Sequence, residues 1–303
     1  MNASLSSRNR QNRRRSLRSE GPIIRFGMAD IVKRTVSGAG FLAIVLCGLL
    51  INKFLFAGLV IFIMAGMMRE FYVMTAGGRL ELPGILSIAT GITLFALIFL
   101  SAAQYMDARL ICLAFIPLFA VMAGALRKGG DREGFGRFPY ICTGLLYIAV
   151  PLSLSGLMVF DGDGNFGGGL MLCLFIIIWA SDVGAYCVGM LLGRNGPKLC
   201  PAISPKKSWA GFWGGLVFAV GAAVLIRFAG MSGFPLLHCI VLSIMMHVAG
   251  VCGDLFESQW KRYFNVKDSG NIIPGHGGLL DRFDSALFAI PAGAVYLTAV
   301  GLM

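Results

Sequence analysis

The segment from Ser258 to Asp284 concentrates charged side chains in a chain that is otherwise strongly apolar. Carboxylates are ligands that hard divalent cations prefer, and Lys and Arg side chains bind phosphate. A charge at membrane depth costs free energy unless it is paired or binds a ligand. The segment therefore predicts a metal-and-phosphate site at a membrane surface. Its charged residues are Lys261, Arg262, Lys267, Asp268, Asp281, Arg282 and Asp284.

This segment resembles, in residue type and spacing, the signature of the phosphatidate cytidylyltransferases, also called CDP-diacylglycerol synthases. The signature has a Ser, a Lys-Arg pair, a Lys-Asp pair, a small residue, His-Gly-Gly and Asp-Arg-x-Asp. One departure is Trp260, where the family usually has an aliphatic residue or Phe, and Trp is still apolar. The matching residues are Ser258, Lys261, Arg262, Lys267, Asp268, Gly270, His276, Gly277, Gly278, Asp281, Arg282 and Asp284.

A second charged position lies well inside an apolar run, at Asp182. An ionisable residue at membrane depth is a functional candidate by default. The alternative is a structural ion pair or a hydrogen bond to a neighbouring helix. The family carries a similar Asp-x-Gly-Ala-Tyr element, which favours the functional interpretation, and the resemblance as a whole covers residues 179–284.

The Gly- and Pro-containing stretch 193–207 ends in Lys206 and Lys207, just before a predicted helix. A helix start offers free backbone N–H groups that suit a phosphate, and Ser208 is positioned to cap the helix. The alternative is that both lysines are ordinary membrane-flanking cations. The family usually has Ser-Pro-x-Lys-Thr-Trp-x-Gly here, which this chain matches from Ser204, with Ser208 keeping the hydroxyl of the usual Thr.

Acidic residues recur at helical spacing just before the signature and at its end. If the chain is helical after residue 253, Asp254, Glu257 and Lys261 lie on one face, and Asp281 and Asp284 are likewise three apart. Two helix ends with an acid pair each can converge on one or two metal ions, and Mg²⁺ typically uses one or two carboxylates plus substrate phosphates. The alternative is a surface lattice in which these acids pair with Lys261 and neighbouring Arg residues.

The three histidines and one further charged cluster suggest smaller roles. His276 lies among glycines, and we expect it to contact phosphate or orient the loop rather than transfer a proton; a purely structural role is the alternative. His238 and His247 lie in an apolar run and are predicted to be core residues. Glu70 is interpreted as half of a helix-end ion pair with Arg69. Tyr72 is interpreted as an interfacial aromatic residue.

Composition predicts an all-α, polytopic integral membrane protein. Of 303 residues, 57% are hydrophobic and only 14% are charged, about half the charged share of a soluble domain. The eight cysteines are scattered without a CxxC and are interpreted as buried small hydrophobic residues. Nine apolar runs near bilayer length follow one another, at 36–51, 54–74, 84–100, 108–126, 138–159, 170–192, 208–229, 235–253 and 284–302.

Charge in the loops predicts the topology. With nine spans and a cytoplasmic N-terminus, the loops 69–83, 127–137, 193–207 and 254–283 are cytoplasmic and hold most of the Lys and Arg residues. The opposite side holds little beyond Lys53, Arg109 and an acidic loop at Asp161–Gly164. The C-terminus is then external, and both motif-bearing loops, at about 193–207 and 254–283, face the nucleotide-containing side.

The first 34 residues form a basic tail that is predicted to be largely disordered, and residues 35–303 form the transmembrane catalytic domain. A polybasic anchor or topology signal is the favoured interpretation of the tail. A transit peptide is an alternative, although the weak amphipathic pattern argues against it. Nucleic-acid binding is disfavoured, because nothing folded accompanies the charge.

The resemblance implies transfer of the cytidylyl group of CTP to phosphatidate, with Mg²⁺ alone or with a second cation, by a homodimer. No cleavable signal is evident, which favours a bacterial inner membrane, with an organellar membrane as the alternative. The resemblance also implies metal ligands at Asp254, Asp281 and Asp284, with Asp182 and Glu257 as further candidates. It implies catalytic roles for Lys261, Arg262, Lys267, Asp268, His276 and Arg282. It implies substrate-binding roles for Ser204, Lys206, Lys207, Ser208, Ser258, Gly277 and Gly278. A CTP-dependent lipid kinase and a non-enzymatic transporter are the alternatives.

Overall fold

The computed structural model describes residues 28–126, 136–272 and 277–303. Regular structure in these ranges is helical apart from one antiparallel hairpin and an isolated bridge, which confirms the predicted all-α class. The hairpin pairs β1 (Lys198–Cys200) with β2 (Ser204–Ser208). The helices are α1 (Met28–Leu50), α2 (Lys53–Thr75), α3 (Leu82–Ala102), α4 (Phe115–Leu126, after a 3₁₀ segment at Ala108–Ala114), α5 (Phe138–Gly144), α6 (Val150–Ser155, joined to α5 by a π turn at Leu145–Ala149), α7 (Gly169–Leu192), α8 (Trp209–Phe228), α9 (Leu236–Tyr263), α10 (Leu280–Phe283) and α11 (Ala286–Ala299).

Six helical segments of the described chain are long and apolar enough to cross a membrane, counting α5–α6 as one. They are Lys53–Thr75, Leu82–Ala102, Phe138–Ser155, Gly169–Leu192, Trp209–Phe228 and Leu236–Tyr263. The shorter apolar helices Val36–Leu50 and Ala108–Gly124 and the 14-residue α11 fall on the remaining predicted runs. Every predicted run therefore contains a helix, whereas the number of nine spans stays a prediction.

Two predicted boundaries are wrong. The segment 254–283 is not a loop throughout, because α9 continues to Tyr263 and α10 begins at Leu280. Polar helix formers and an i,i+4 ion pair between Glu257 and Lys261 extend α9 beyond its apolar part. The predicted tail 1–34 also ends too late, since α1 begins at Met28, where Ala and Lys residues continue the helix outside the apolar run. Residues 1–27 lie outside the described part of the chain.

The helices α7, α8 and α9 pack against one another, and α7 packs most extensively against α8. Gly215 permits this packing, because a Cβ atom there would lie 2.8 Å from His247 Cε1 and 2.9 Å from the Ser181 carbonyl oxygen. His247 is buried and its Nδ1 lies 2.8 Å from Ser181 Oγ, so its predicted core position is confirmed. His238 is only half-buried, with Nδ1 2.8 Å from Tyr296 Oη.

The cysteines are all free, as the scattered spacing indicates. Cys173 and Cys239 are buried. The prediction of burial is wrong for four others, which are exposed on the protein surface: Cys47, Cys112, Cys187 and Cys252. A helix in a membrane needs no protein cover for an apolar side chain, so an apolar run alone does not predict burial against protein.

The segments of the predicted loops that the structure describes meet at one end of the helices. Arg137 forms an ion pair with Glu81, and Lys207 forms one with Asp254. Backbone N–H groups at the start of α10 donate to Glu70, at the other end of the sequence. These contacts bring 69–83, 193–207, the described part of 127–137 and that of 254–283 to the same side, as the topology requires. All of the site residues discussed below lie on that side.

Candidate active site

A cavity of about 840 Å³ opens among α7, the hairpin, the second half of α9 and the segment around α10. This volume lies in the range of small-molecule and cofactor sites. Carboxylates from three separate elements face it together with cations from the hairpin region. The charged residues that line it are Asp182, Arg194, Lys198, Lys206, Lys207, Asp254, Asp281 and Asp284.

The hairpin places its lysines next to the acidic wall of the cavity. Lys207 Nζ lies 2.5 Å from Asp254 Oδ2, and Ser258 Oγ donates to Asp254 Oδ1 at 3.4 Å. Lys198 Nζ donates to the carbonyl oxygens of Gly193 and Arg194, which closes the start of the hairpin. The prediction that Lys206 and Lys207 directly precede a helix is confirmed, since α8 begins directly after β2, the strand that contains both lysines.

Ser208 caps α8, as predicted: its Oγ accepts a hydrogen bond from Gly211 N at 3.1 Å, and the residue is 4% exposed. Replacing Ser208 with Ala is expected to lower the free energy of unfolding by about 1 kcal/mol, a usual cost of losing an N-cap oxygen. Ser208→Thr, which keeps that oxygen, is the matched control and is expected to remain close to wild type. Thermal unfolding in detergent measures both, and a Ser208→Ala midpoint equal to that of wild type would contradict the capping role.

Lys261 joins two buried carboxylates of the second half of the site. Its Nζ lies 2.6 Å from Glu257 Oε2 and 2.7 Å from Asp281 Oδ1, and the Lys261 side chain is only 13% exposed. Glu257 is completely buried and does not line the cavity. The structure therefore assigns Glu257 to the support of Lys261 and places it behind the wall, not among the groups that face the cavity.

Asp281 is held by hydrogen bonds on both of its oxygens. Oδ2 accepts from Ser269 N at 3.0 Å, from Ser269 Oγ at 3.0 Å and from Gly278 N at 2.9 Å, while Oδ1 accepts from Lys261. Burial raises the pKa of this carboxyl, but the bonds from Lys261 and Gly278 lower it further, so its pKa lies below the ordinary value. Asp281 is thus an ionised carboxylate with a fixed orientation and a remaining lone pair on Oδ1.

The carboxylates that line the cavity fit a hard divalent cation in part. Asp182, Asp254, Asp281 and Asp284 converge on one space from three elements. No group of three His, Cys, Asp or Glu side chains in the described ranges is close enough to hold a metal ion alone. Mg²⁺ commonly takes one or two carboxylates, keeps waters and completes its shell with substrate phosphates. The donor set therefore fits a cation that arrives with an anionic substrate.

Several residues predicted for the site lie outside the cavity. Arg262 is exposed and its Nε donates to the Ile203 carbonyl at 3.3 Å, so it braces α9 against the hairpin. Lys267 and Asp268 are exposed and do not line the cavity. Arg282 lines a small second cavity that it shares with Asp182. The remaining described members of the predicted set that do not line the main cavity are Lys261, which bonds to Glu257 and Asp281, Ser204, which begins β2, Ser258, which bonds to Asp254, and the glycines Gly277 and Gly278.

His276 was predicted to contact phosphate, and it lies outside the described part of the chain. The described residues on either side of it, Ile272 and Gly277, border the segment that carries Asp281. Gly277 has φ +87°, and a Cβ atom there would lie 2.9 Å from Asp281 Oδ2. The glycine pattern noted in the sequence thus permits close approach of the backbone to a carboxylate of the protein itself.

Sequence reasoning missed Glu70. Interpreting it as a helix-end ion pair with Arg69 is wrong, because Glu70 is 2% exposed and accepts hydrogen bonds from Leu279 N and Leu280 N. Tyr72 is likewise buried, with Oη 2.6 Å from Ser87 Oγ, and is not an interfacial aromatic. The signal was present, since Glu70 is an acid at the end of an apolar run, as Asp182 is.

The fold and the site define a polytopic helical membrane protein whose helix ends enclose a cavity suited to a metal-bound, anionic substrate. The chain belongs to the Cytidylyltransferase family, whose model matches residues 32–300. This confirms the resemblance carried by the Ser258–Asp284 segment.

Curated relatives carry the name phosphatidate cytidylyltransferase. One from Bacillus subtilis (strain 168) is 47% identical over 116 residues, which span 38% of this chain and only 42% of the relative. One from Staphylococcus saprophyticus is 34% identical over 251 residues, or 83% of this chain and 91% of the relative. One from Rickettsia bellii (strain RML369-C) is 39% identical over 187 residues, or 58% of this chain and 78% of the relative.

Proposed function

We propose that this protein transfers the cytidylyl group of CTP to phosphatidate, which yields CDP-diacylglycerol and pyrophosphate. The observation that carries the proposal is the single cavity in which carboxylates from three elements face the hairpin lysines. Family membership and the names of the relatives support the same reaction. Transfer of a nucleotidyl group between two anions relies on positioning and on stabilisation of negative charge, which cations and a metal ion held by carboxylates would supply.

In this reaction an oxygen of the lipid phosphate attacks the α-phosphorus of CTP, and the bond from that phosphorus to the bridging oxygen of pyrophosphate breaks. A phosphate monoester is largely dianionic near neutral pH, because its second pKa is about 6. No general base is then needed, and the task of the protein is to bring two anions together and to stabilise the leaving group. We propose that Lys206 and Lys207, which line the cavity, bind the triphosphate, while Lys261 holds Asp281 at the cavity wall.

A divalent cation bound by the cavity carboxylates would neutralise phosphate charge and stabilise the departing pyrophosphate. Asp182, Asp254 and Asp284 are the residues that we propose would hold it, with Asp281 through Oδ1. In the protein alone, Lys207 occupies one oxygen of Asp254 at 2.5 Å. We expect the substrate phosphates to attract Lys207, which would release that oxygen for the cation.

The lipid is proposed to enter from the side of the bilayer. A small cavity of about 30 Å³ combines Asp182 and Arg282 with apolar side chains that include Phe175 and Phe283. An adjoining cavity of similar size, which also contacts Phe175 and Phe283, is lined almost entirely by apolar residues. Each volume is about that of one water molecule, so Phe175 and Phe283 would have to move apart before a phosphate headgroup and acyl chains could occupy this route.

We further propose that the cavity faces the cytoplasm of a bacterial inner membrane and that the protein works as a homodimer. The concentration of Lys and Arg in the loops on the cavity side supports the orientation. The orientation would be tested by introducing a single cysteine at exposed Lys206 or at exposed Asp163 and labelling it in intact cells. Asp163 lies at the end of the helices opposite the cavity, so the two positions report on opposite sides of the membrane. Chemical crosslinking in the membrane would test the dimer.

The proposed activity is tested with purified protein, phosphatidate, Mg²⁺ and CTP labelled at the α-phosphate. Label is expected in a chloroform-soluble product, with pyrophosphate released in equal amount. Label transferred to lipid from γ-labelled CTP, but not from α-labelled CTP, would instead identify a lipid kinase. Binding of neither CTP nor phosphatidate to the folded protein would favour a transporter.

Removal of divalent cations with EDTA is expected to abolish turnover, and added Mg²⁺ is expected to restore it. The unfolding temperature is expected to stay within a few degrees, because Lys207 and Lys261 already compensate three of the site carboxylates. Turnover and thermal unfolding of the same sample provide the measurement. Undiminished turnover in EDTA would contradict the metal requirement.

A further inference from the structure

Glu70 is a buried carboxylate on α2 that contacts the site from outside the cavity. It is 2% exposed, and it lies 209 residues from Leu279 in the sequence. Oε1 accepts from Leu279 N at 3.1 Å, and Oε2 accepts from Leu280 N at 3.0 Å. Ser269 Oγ donates to Oε2 at 3.3 Å. A carboxylate is costly to bury, and the two backbone donors, joined by the Ser269 hydroxyl when its proton points to Glu70, offset part of that cost.

Ser269 connects this carboxylate to Asp281. Its Oγ lies 3.3 Å from Glu70 Oε2 and 3.0 Å from Asp281 Oδ2, while its backbone N–H donates to the same Asp281 oxygen. The hydroxyl carries one proton and therefore donates to one carboxylate at a time. Glu70, Ser269 and Asp281 thus form a continuous polar chain from α2 to the cavity wall.

The backbone on both sides of Ser269 and Asp281 is shaped to fit the Glu70 carboxylate. A Cβ atom on Gly270 would lie 2.3 Å from Glu70 Oε1. A Cβ atom on Gly278 would lie 2.5 Å from Glu70 Oε2 and 2.2 Å from Ser269 Oγ. Residues with a side chain at either position would displace the carboxylate. The two glycines therefore let the segments before and after residues 273–276 close around Glu70.

We infer that Glu70 is a positioning residue, which clamps the segments at Ser269 and Gly278–Leu280 onto α2 and so fixes the orientation of Asp281 at the cavity. Glu70 does not line the cavity, and in the proposed site it does not contact the reacting groups. It acts through Ser269 Oγ, the donor that it shares with Asp281, and through the Leu279 and Leu280 amides that it binds beside Asp281. The inference rests on the proposed function only for its effect on metal use; the clamp itself is a property of the protein without ligands.

Glu70→Gln is the direct test, because the amide keeps the size of the side chain but turns an N–H₂ group towards backbone N–H donors. Removing such outer support typically costs 10–100-fold in metal affinity or activity. We expect the Mg²⁺ concentration for half-maximal turnover to rise by about 10–100-fold, with the KM for CTP at saturating Mg²⁺ nearly unchanged. Glu81→Gln is the control: Glu81 pairs with Arg137 on the same side of the protein, away from the cavity, and its loss should leave the Mg²⁺ dependence unaltered.

Hydrogen–deuterium exchange of the metal-free protein gives a readout that does not depend on activity. Amides in the peptide 277–283 are expected to exchange about tenfold faster or more in Glu70→Gln, since each 1.4 kcal/mol of lost protection is a factor of ten. Asp281→Asn should keep the protection of Leu279 and Leu280 while losing turnover. If the wild-type protein shows no cytidylyl transfer but Glu70→Gln still exchanges faster than wild type, the positioning role of Glu70 stands and only the proposed function is refuted.

Ser269→Ala keeps the inference testable if Glu70→Gln does not fold. It removes the shared hydroxyl but leaves both backbone bonds to Glu70, so we expect a smaller rise in the Mg²⁺ requirement, of a few-fold, and faster exchange at 277–283. The inference is overturned if a folded Glu70→Gln protein shows wild-type exchange and wild-type Mg²⁺ dependence. If only Ser269→Ala folds, the same two results in that variant overturn it.

Discussion

Replacing Asp281 by Asn is expected to reduce cytidylyl transfer by about a thousandfold or more, since the loss of several kcal/mol of charge stabilisation corresponds to that factor. In the structure Asp281 Oδ2 faces the donors Ser269 N and Gly278 N, and Oδ1 faces Lys261. An amide cannot satisfy both sides, because in either orientation its N–H₂ group meets a donor. Turnover with α-labelled CTP measures the effect.

Asp163→Asn is the matched control for this variant. Asp163 is exposed in the acidic loop at the other end of the helices, where only its backbone N–H bonds to Asp161. We expect wild-type turnover from it. Membrane insertion and CTP binding should show that Asp281→Asn is folded. Full activity of that folded variant would refute both the metal role and the importance of the oriented carboxylate.

Replacing Lys261 by Met is expected to abolish turnover and also to lower the free energy of unfolding by about 3–5 kcal/mol. Lys261 is the cation between Glu257, which is completely buried, and Asp281, which is 9% exposed. Without it, two carboxylates share a site of low dielectric constant with no counter-charge, and one of them must move or become protonated. Thermal unfolding in detergent and turnover measure the two effects separately.

The double variant Lys261→Met, Glu257→Gln separates stability from catalysis. Removing the second buried charge is expected to restore part of the lost free energy, whereas turnover stays low because Asp281 still lacks its partner. Lys53→Met is the control, since Lys53 contacts the Tyr105 ring at the other end, an interaction worth about 1 kcal/mol or less. A Lys261→Met protein as stable as wild type would contradict the ion-pair arrangement.

The arrangement of the site divides the charged residues into two layers. Lys206, Lys207 and Asp254 belong to the layer that faces the cavity, where we propose that Lys207 exchanges partners when an anion arrives. Glu257 and Glu70 belong to the buried layer that holds Lys261 and the α10 segment in place. We therefore expect substitutions in the first layer to change substrate binding and those in the second to change orientation and stability.

The sequence by itself determined the class of fold and the family. Apolar runs of bilayer length each contain a helix, because a backbone in lipid must satisfy its own hydrogen bonds. The three- and four-residue spacing of Asp254, Glu257 and Lys261 placed them on one helical face, and Ser208 marked the start of α8. These features follow from local geometry, which a sequence records directly. The family signature predicted the family for the same reason, since its residues lie close together in the chain.

Only the tertiary structure decided which charges meet. Lys267 and Asp268 belong to the signature but do not line the cavity, while Glu70, outside the signature, supports Asp281 from α2. Lys207 pairs with Asp254 rather than with a neighbour in sequence. Spacing along the chain fixes the face of a helix but not the residue that packs against it. Those partners depend on how helices far apart in sequence approach one another, and buried charges select partners by distance in space.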